Sequence, residues 1–316
     1  MSAGLIWLTT VANFGGPNIT GKIGSITVWG VIIPVAGLSV IGWFWFDAQI
    51  LKEAWNPHNM PLSDAIAQSI PLTLWAFLGM ESAAQNSDAV ENPERNVPLA
   101  CLFGTLGAAV VYVLSTTVIQ GIVPNAELAN SSAPFAYVYA QMFNPVIGNI
   151  IMGLAVMACI GSLLGWQFTL AQTAKVTADQ GMFFKLFGKV TAANAPVIGM
   201  IVCGVLQTLL ALSTISPNAS EQFSKLVNLA AVTNLIPYIT ALSGLMVIMY
   251  KARVSATIYM RNVMVLMVAM VYCFYALYAS GKDAVFGSML VLALGYLLYG
   301  FIAKRFVAEQ PASGKA

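Results

Sequence analysis

The chain has 316 residues, of which 59% are hydrophobic and only 8% are charged. Soluble domains carry roughly 25% charged residues, so the composition indicates a membrane protein with the lipid bilayer as its main partner. The formal net charge of +2 is spread over short clusters between apolar runs, a distribution that argues against a nucleic-acid partner.

Long apolar runs predict an all-α polytopic membrane protein. A spanning helix needs about 20 apolar residues, and eight runs approach or exceed that length, after a half-length piece at residues 4–14. A further amphipathic piece at 135–143 predicts a short helix in a surface loop. The predicted spans are 23–46, 66–89, 99–123, 146–173, 197–215, 223–250, 262–279 and 286–303.

The distribution of Lys and Arg predicts the orientation of these spans. If the loops alternate between two sides, the side of Lys22 collects 11 of the cations and the opposite side only 3, which are Lys52, Lys225 and Lys282. Cytoplasmic loops are enriched in Lys and Arg. We therefore expect Lys22 and the C-terminal tail, residues 304–316, to lie in the cytoplasm.

The stretch "LWAFLGMESA", residues 74–83, places the carboxylate of Glu81 in an apolar run. On a continuous helix Trp75 and Glu81 would be rotated about 240° apart, so they would not readily face one cavity. A break at Gly79, followed by a segment rich in small and polar residues, would change this. We predict a discontinuous helix over residues 68–90, of the kind that forms substrate sites in secondary transporters.

An ionised carboxylate at the bilayer centre costs about 2.5–3.5 kcal/mol on insertion scales, so a cation or a proton should offset the charge of Glu81. One interpretation is a role in binding substrate or a proton. The other is structural: Glu81 caps the second half-helix or pairs with a fixed basic residue. Every Lys and Arg falls in or next to a predicted loop, which leaves no obvious fixed partner at mid-depth.

Trp166, in "GSLLGWQFTLAQTAK", is a second candidate, because Gly161 and Gly165 would allow close helix packing that turns the indole toward a cavity. A core Trp that donates to a neighbouring carbonyl is an equal alternative. Tyr275 and Asp283 are weaker candidates near the outer end of the next-to-last span, since Tyr is common at interfaces and Asp283 lies beside Lys282.

Several other kinds of site are not supported. His58 is the only histidine and lies in a loop, the four cysteines lie singly in apolar runs, and there is no phosphate-binding G-x-x-x-x-G-K-[ST] loop. We therefore expect no metal site, no cofactor, no ATP-driven pump and no enzyme.

At "LWAFLGMESA", "VENPERNVPLA", "VPNAELANSSAPF", "GSLLGWQFTLAQTAK" and "TISPNASEQF" the chain resembles the basic amino acid/polyamine antiporters of the amino acid/polyamine/organocation superfamily, with the putrescine/ornithine type as the nearest match. The resemblance covers essentially all residues. It implies a twelve-helix bacterial inner-membrane protein with an inverted five-plus-five repeat that works by alternating access.

The resemblance also implies roles for single residues. The family's site glutamate falls on Glu81 and its two site tryptophans on Trp75 and Trp166. It suggests that Tyr275 contributes to substrate binding, and that Lys175 and Asp283 lie in a vestibule or gate. No cofactor is implied, and the sequence leaves a homodimer open.

By the same resemblance, the chain corresponds to the C-terminal two-thirds of a complete member. Residues 1–46 would be the remnant of the first repeat, 66–250 the second repeat and 262–303 the last two helices. A Gly-Ser-Gly segment on helix one, which holds the amino acid's α-carboxylate and amino group, would be absent. We therefore expect the chain alone to be inactive.

The function expected from these observations is exchange of putrescine for ornithine, with proton-coupled uptake left open. A permease of broader amino acid specificity and a non-transporting scaffold are the alternatives.

Overall fold

The computed structural model describes residues 2–57, 59–79, 91–131, 133–213 and 219–309, and the regular structure within them is helical. The all-α prediction is confirmed. In a bilayer only a helix or a closed barrel satisfies every backbone hydrogen bond internally, which is why long apolar runs fold this way. In chain order the helices are α1 (Ser2–Asn13), α2 (Pro17–Thr27), α3 (Trp29–Ile41), α4 (Ala48–Ala54), α5 (Leu62–Phe77), α6 (Pro93–Ile122), α7 (Asn125–Asn130), α8 (Pro134–Met142), α9 (Pro145–Asp179), α10 (Val197–Ser213), α11 (Ala219–Lys251), α12 (Ala256–Ala279) and α13 (Lys282–Glu309).

Six described segments are long and apolar enough to cross a membrane. They correspond to six of the eight predicted spans, while Val197–Leu212 is a shorter apolar helix and α5 ends at Phe77. The chain is therefore a polytopic membrane protein. The six segments are Pro17–Phe44, Pro93–Ile122, Pro145–Asp179, Phe223–Lys251, Ala256–Ala279 and Lys282–Ile302.

The chain divides into two compact units, and the repeat boundaries expected above stay a prediction. The first unit comprises Met1–Asn59, Leu106–Ile215 and Tyr299–Ala316, and the second comprises Met60–Thr105 and Ser216–Leu298.

The short surface helix predicted at 135–143 is confirmed as α8, and it is central to the packing of the first unit. Its residues Val138 and Tyr139 are buried against Leu38 of α3 and Val118 of α6. The Tyr139 hydroxyl donates a hydrogen bond of 2.8 Å to the Pro34 carbonyl in α3. The surface helix is therefore attached to two of the membrane-spanning segments.

Glycines allow α9 to approach its neighbours closely in the first unit. A Cβ added to Gly161 of α9 would collide with the Thr27 side chain of α2. A Cβ on Gly30 of α3 would lie 2.5 Å from the Leu154 carbonyl oxygen of α9. Small residues at such crossings let helix backbones pack tightly in lipid, where apolar side chains alone give little drive for association.

In the second unit α5, α11 and α12 pack together. Their common core consists of Ile70 from α5, Leu235 from α11, and Cys273 and Ala276 from α12. This core fixes the end of α5, on which the strongest sequence motif lies.

Candidate functional site

Helix α5 stops inside the stretch that carries the predicted site. The helix ends at Phe77, Leu78 is extended with ψ 147°, and Gly79 has φ 112°. This φ lies in a region that glycine enters at little cost and other residues avoid. Residues 80–90 lie outside the described part of the chain, so Glu81 and the resumption of the helix stay predictions.

Trp75 lies one turn before this end of α5, in the second unit. Its side chain is 42% exposed, whereas the preceding Leu74 packs against the shared core. The indole is therefore partly accessible, and its contact with a substrate stays a prediction.

Tyr275 lies on α12 of the same unit, between Cys273 and Ala276, which are buried in the core that also holds α5. Its side chain is 41% exposed. The structure thus brings the helices of Trp75 and Tyr275 together within one unit. A shared substrate contact of the two rings stays a prediction.

Trp166 lies on α9 in the first unit and is 47% exposed, so it is not a fully buried core residue. A Cβ on Gly165 would meet nothing within 4 Å, whereas Gly161 on the same helix packs against α2. Of the two glycines, only Gly161 makes the close approach that the sequence suggests. The indole is accessible, and its direction toward a substrate cavity stays a prediction.

Gln167, the residue after Trp166, was missed by the sequence analysis. It is completely buried. Its amide nitrogen donates to Gln207 Oε1 of α10 at 2.7 Å, and to the Ile6 carbonyl and Thr10 Oγ1 of α1 at 3.2 Å each. Within the described residues its own Oε1 has no donor. A glutamine in an apolar span was the available signal, because polar side chains in lipid must find partners.

A second polar contact joins α1 to α9 near the end of α1. Asn13 is buried and donates from Nδ2 to the Leu164 carbonyl of α9 at 2.9 Å, while its Oδ1 accepts from Thr20 of α2 at 2.7 Å. Asn13 is therefore satisfied on both sides. Together with Gln167 it connects α1, α2, α9 and α10 around the helix that carries Trp166.

Lys175 and Asp283, the two candidates for a vestibule or gate, each have a local interaction that stabilises the charged side chain. Lys175 forms an ion pair of 2.9 Å with Asp179, one turn further along α9. Asp283 is exposed in the first turn of α13, after Gly281 with φ 80°. A carboxylate in the first turn of a helix is favoured by the helix dipole.

Two tyrosines of α8, outside the spanning segments, have raised pKa values for different reasons. A hydrogen bond of 2.6 Å to Glu127 raises the pKa of the partly buried Tyr137. Burial raises the pKa of Tyr139. Both pKa shifts favour the protonated hydroxyl, which is the form that donates a hydrogen bond.

A cavity of about 420 Å³ in the first unit has walls that do not suit a charged ligand. Its lining includes Phe135, Met152, Val156, Ile160 and Leu163. In the described residues there is also no group of three His, Cys, Asp or Glu side chains that could hold a metal ion. This apolar cavity therefore does not provide a site for a charged substrate.

The sequence profile of the amino acid permease family matches residues 1–301. The chain belongs to this family. The match covers both structural units and the segments that carry Trp75, Glu81, Trp166 and Tyr275. This permease is a secondary transporter of the membrane and not an enzyme.

Similar proteins include transporters of diamines. The permease is 56% identical over 303 residues to the putrescine transporter PotE of Escherichia coli strain K12. This alignment covers 96% of the present chain and 69% of the relative. It is 55% identical over 301 residues to the putrescine transporter PotE of Haemophilus influenzae strain Rd, covering 95% of this chain and 69% of the relative. It is 30% identical over 303 residues to the cadaverine/lysine antiporter of E. coli K12, covering 93% of this chain and 67% of the relative.

Proposed function

We propose that the permease exchanges putrescine for ornithine across the bacterial inner membrane by alternating access. The observation that carries this proposal is the difference between two identities. The chain is 56% identical to a putrescine transporter and 30% identical to a cadaverine/lysine antiporter over matches of equal length. This difference favours putrescine over cadaverine as the diamine.

The residues of the predicted site suit such a substrate. A diamine at neutral pH carries two ammonium groups joined by a short aliphatic chain. The carboxylate of Glu81 would attract one ammonium, and the partly exposed ring of Trp75 would cover the chain and offer its face to a cation. The resemblance to the antiporters assigns the same role to Trp166. Cation–π contacts of this kind contribute about 0.5–2 kcal/mol each.

A buried carboxylate also gives a physical reason for exchange. Without a cation or a proton, Glu81 would carry a cost of about 2.5–3.5 kcal/mol through the membrane interior. A penalty of that size slows the reorientation of an empty carrier by roughly two orders of magnitude relative to a loaded one. Return of the carrier would then require a second cationic substrate, such as ornithine.

The test is uptake of labelled putrescine into liposomes loaded with ornithine. Because the chain alone is expected to be inactive, Glu81→Gln is compared with wild type both in the chain alone and in a second preparation that joins the chain to the part of the E. coli relative outside the aligned region. We expect at least a tenfold loss of uptake in the variant, because a neutral amide does not balance a second ammonium. Glu91→Gln is the matched control. It makes the same change at an exposed position in the following loop and should leave uptake within about twofold.

Two further arms separate the alternatives. Uptake that is seen only in the joined preparation would support the proposed exchange. It would also show that exchange requires the added segment. Counterflow of neutral amino acids at similar rates would favour a broader permease. Undiminished exchange in Glu81→Gln would remove Glu81 from the site, and failure of all substrates in both preparations would favour the scaffold alternative.

A further inference from the structure

The turn between α11 and α12 borders an open cavity of about 860 Å³, and its lining contains none of the predicted substrate residues. The cavity lies entirely within the second unit. It combines two cations, two tyrosines and apolar groups. Its lining includes Met249, Tyr250, Lys251, Arg253, Tyr259 and Met260.

The backbone of this turn places Arg253 in an unusual conformation. The Val254 amide donates to the Met249 carbonyl at 3.4 Å and the Arg253 amide to the Tyr250 carbonyl at 3.1 Å, the pair of bonds that defines a Schellman helix end. Arg253 occupies the left-handed position of that motif, with φ 50°. Glycine or asparagine usually stands there, and an L-residue costs roughly 1–2 kcal/mol more. The geometry of the turn therefore gives no reason for an arginine at this position.

The cations around the cavity are not matched by acidic groups. The segment from Met249 to Arg261 contains no Asp or Glu. In the parts of the chain that the structure describes, no carboxylate forms an ion pair with Lys251, Arg253 or Arg261. All three side chains are exposed. An anion from outside the chain would find positive charge here without having to displace a partner.

The surroundings of the cations favour a lipid over a soluble anion. Tyr250 is 80% exposed, Met260 is 59% exposed, and further along α12 Met264 is 59% exposed. A headgroup held by the cations would therefore have its acyl chains beside an apolar helix surface. The Lys and Arg distribution also predicts that this turn lies on the cytoplasmic side, where acidic lipids attract basic clusters near the membrane.

We propose that the cavity between α11 and α12 binds the headgroup of an acidic phospholipid, with Lys251 and Arg253 as the phosphate ligands and Tyr250 and Tyr259 at its rim. The Arg253 side chain lines the cavity, where its guanidinium can contact phosphate through two parallel hydrogen bonds. This site does not depend on the identity of the transported substrate.

The test is native mass spectrometry of the purified full chain after exchange into detergent with phosphatidylglycerol or with phosphatidylcholine of the same acyl chains. We expect wild type to retain phosphatidylglycerol in preference to phosphatidylcholine. In the double variant Lys251→Gln/Arg253→Gln, affinity for phosphatidylglycerol should fall roughly 30-fold, since each cation near an anionic surface contributes about 1 kcal/mol.

Two single variants make the result specific to the cavity. Arg253→Gly removes the cation and suits the left-handed backbone, so it should fold at least as well as wild type and still lose phosphatidylglycerol. Lys189→Gln removes an exposed cation elsewhere on the predicted cytoplasmic side and should retain it. An equal loss in Lys189→Gln would mean that bulk surface charge holds the lipid.

Competition with inorganic phosphate shows whether the site binds a lipid headgroup or a free phosphate ion. We expect millimolar phosphate to leave phosphatidylglycerol bound, because the acyl chains add contacts that a free ion lacks. Displacement by phosphate alone, or equal retention of phosphatidylcholine, would overturn the proposal. Since these measurements need no transport, their outcome is independent of the proposed exchange.

Discussion

Gln167 shows how a single amide can fix the rotation of a membrane helix. In lipid, apolar contacts distinguish poorly between one helix face and another, because the surrounding chains are as apolar as leucine. A buried amide that reaches two other helices has only one favourable direction. By holding Gln167 toward α1 and α10, the first unit also fixes the direction of the adjacent, partly exposed Trp166.

We expect Gln167→Leu to destabilise the purified permease by about 1–2 kcal/mol. The leucine fills a similar volume but leaves Gln207 Oε1 and Thr10 without the amide donor, and interhelical hydrogen bonds in membranes contribute about 0.6 kcal/mol on average with a maximum near 1.7. The measurement is thermal unfolding in detergent. Gln120→Leu, at an exposed position of α6, is the matched control, and an equal shift in both variants would contradict a specific role for the buried amide.

Single residues differ in how well the sequence predicts them. The end of α5 lies beside Gly79, a residue suited to the φ of 112° found there, and the local sequence contains that information. The partners of Gln167 could not be predicted, because Ile6 and Thr10 are more than 150 residues away and nothing local indicates which helix lies opposite. Glu81, the most informative residue in the sequence, lies outside the described residues and its role stays a proposal.

At the level of helices, the crossing of α2 and α9 leaves no room for a side chain at position 161. Thr27 occupies the space that a side chain at position 161 would need, whereas position 165, one turn later on α9, is open. The two glycines therefore have different roles although they look equivalent in sequence.

We expect Gly161→Ala to destabilise the first unit by about 1–3 kcal/mol, the usual cost of overpacking, and Gly165→Ala to be neutral or slightly stabilising, because alanine favours helix. Thermal unfolding of the two variants against wild type measures the difference. Equal stability of both variants would show that α2 and α9 can separate without cost.

The end of α5 gives a second prediction for an element. Gly79→Ala should disfavour the φ of 112° by roughly 1–2 kcal/mol and should reduce exchange, because the helix break is expected to bring Trp75 and Glu81 into one cavity. Uptake of labelled putrescine is the readout. Gly107→Ala within α6, where a Cβ would meet nothing within 4 Å, is the control, and full activity of Gly79→Ala would argue against the break as part of the site.

Hydrophobic length predicts the spanning helices well but their ends less well. Helix α12 begins at Ala256, before the run predicted from residue 262, because polar and basic residues such as Arg261 are compatible with a helix that extends beyond the apolar region. The preceding turn has no glycine at its left-handed position, so the sequence offers no conventional signal for it. Within the candidate run 66–89, the sequence predicts a broken helix over residues 68–90, and the described helix in this run ends at Phe77.

For the molecule as a whole, the distribution of Lys and Arg predicts an orientation that can be tested directly. We expect an epitope added after Ala316 to be accessible to antibody only after the membrane is permeabilised. An epitope inserted after Pro57, in the loop that contains the exposed Trp55, should be accessible from outside intact spheroplasts. The reverse pattern would contradict the 11 to 3 distribution of cations as the determinant of topology and would move the lipid site to the other leaflet.

The contact between Tyr139 and Pro34 limits how the first unit can move. The hydroxyl of the surface helix reaches a carbonyl within α3, and a Cβ on Gly37 of α3 would lie 2.9 Å from the same hydroxyl. An outward swing of α8 would have to break a buried hydrogen bond or carry α3 along with it. Separation of α8 from α3 would leave a buried donor and acceptor unpaired, and movement of the two helices as a pair would avoid that cost.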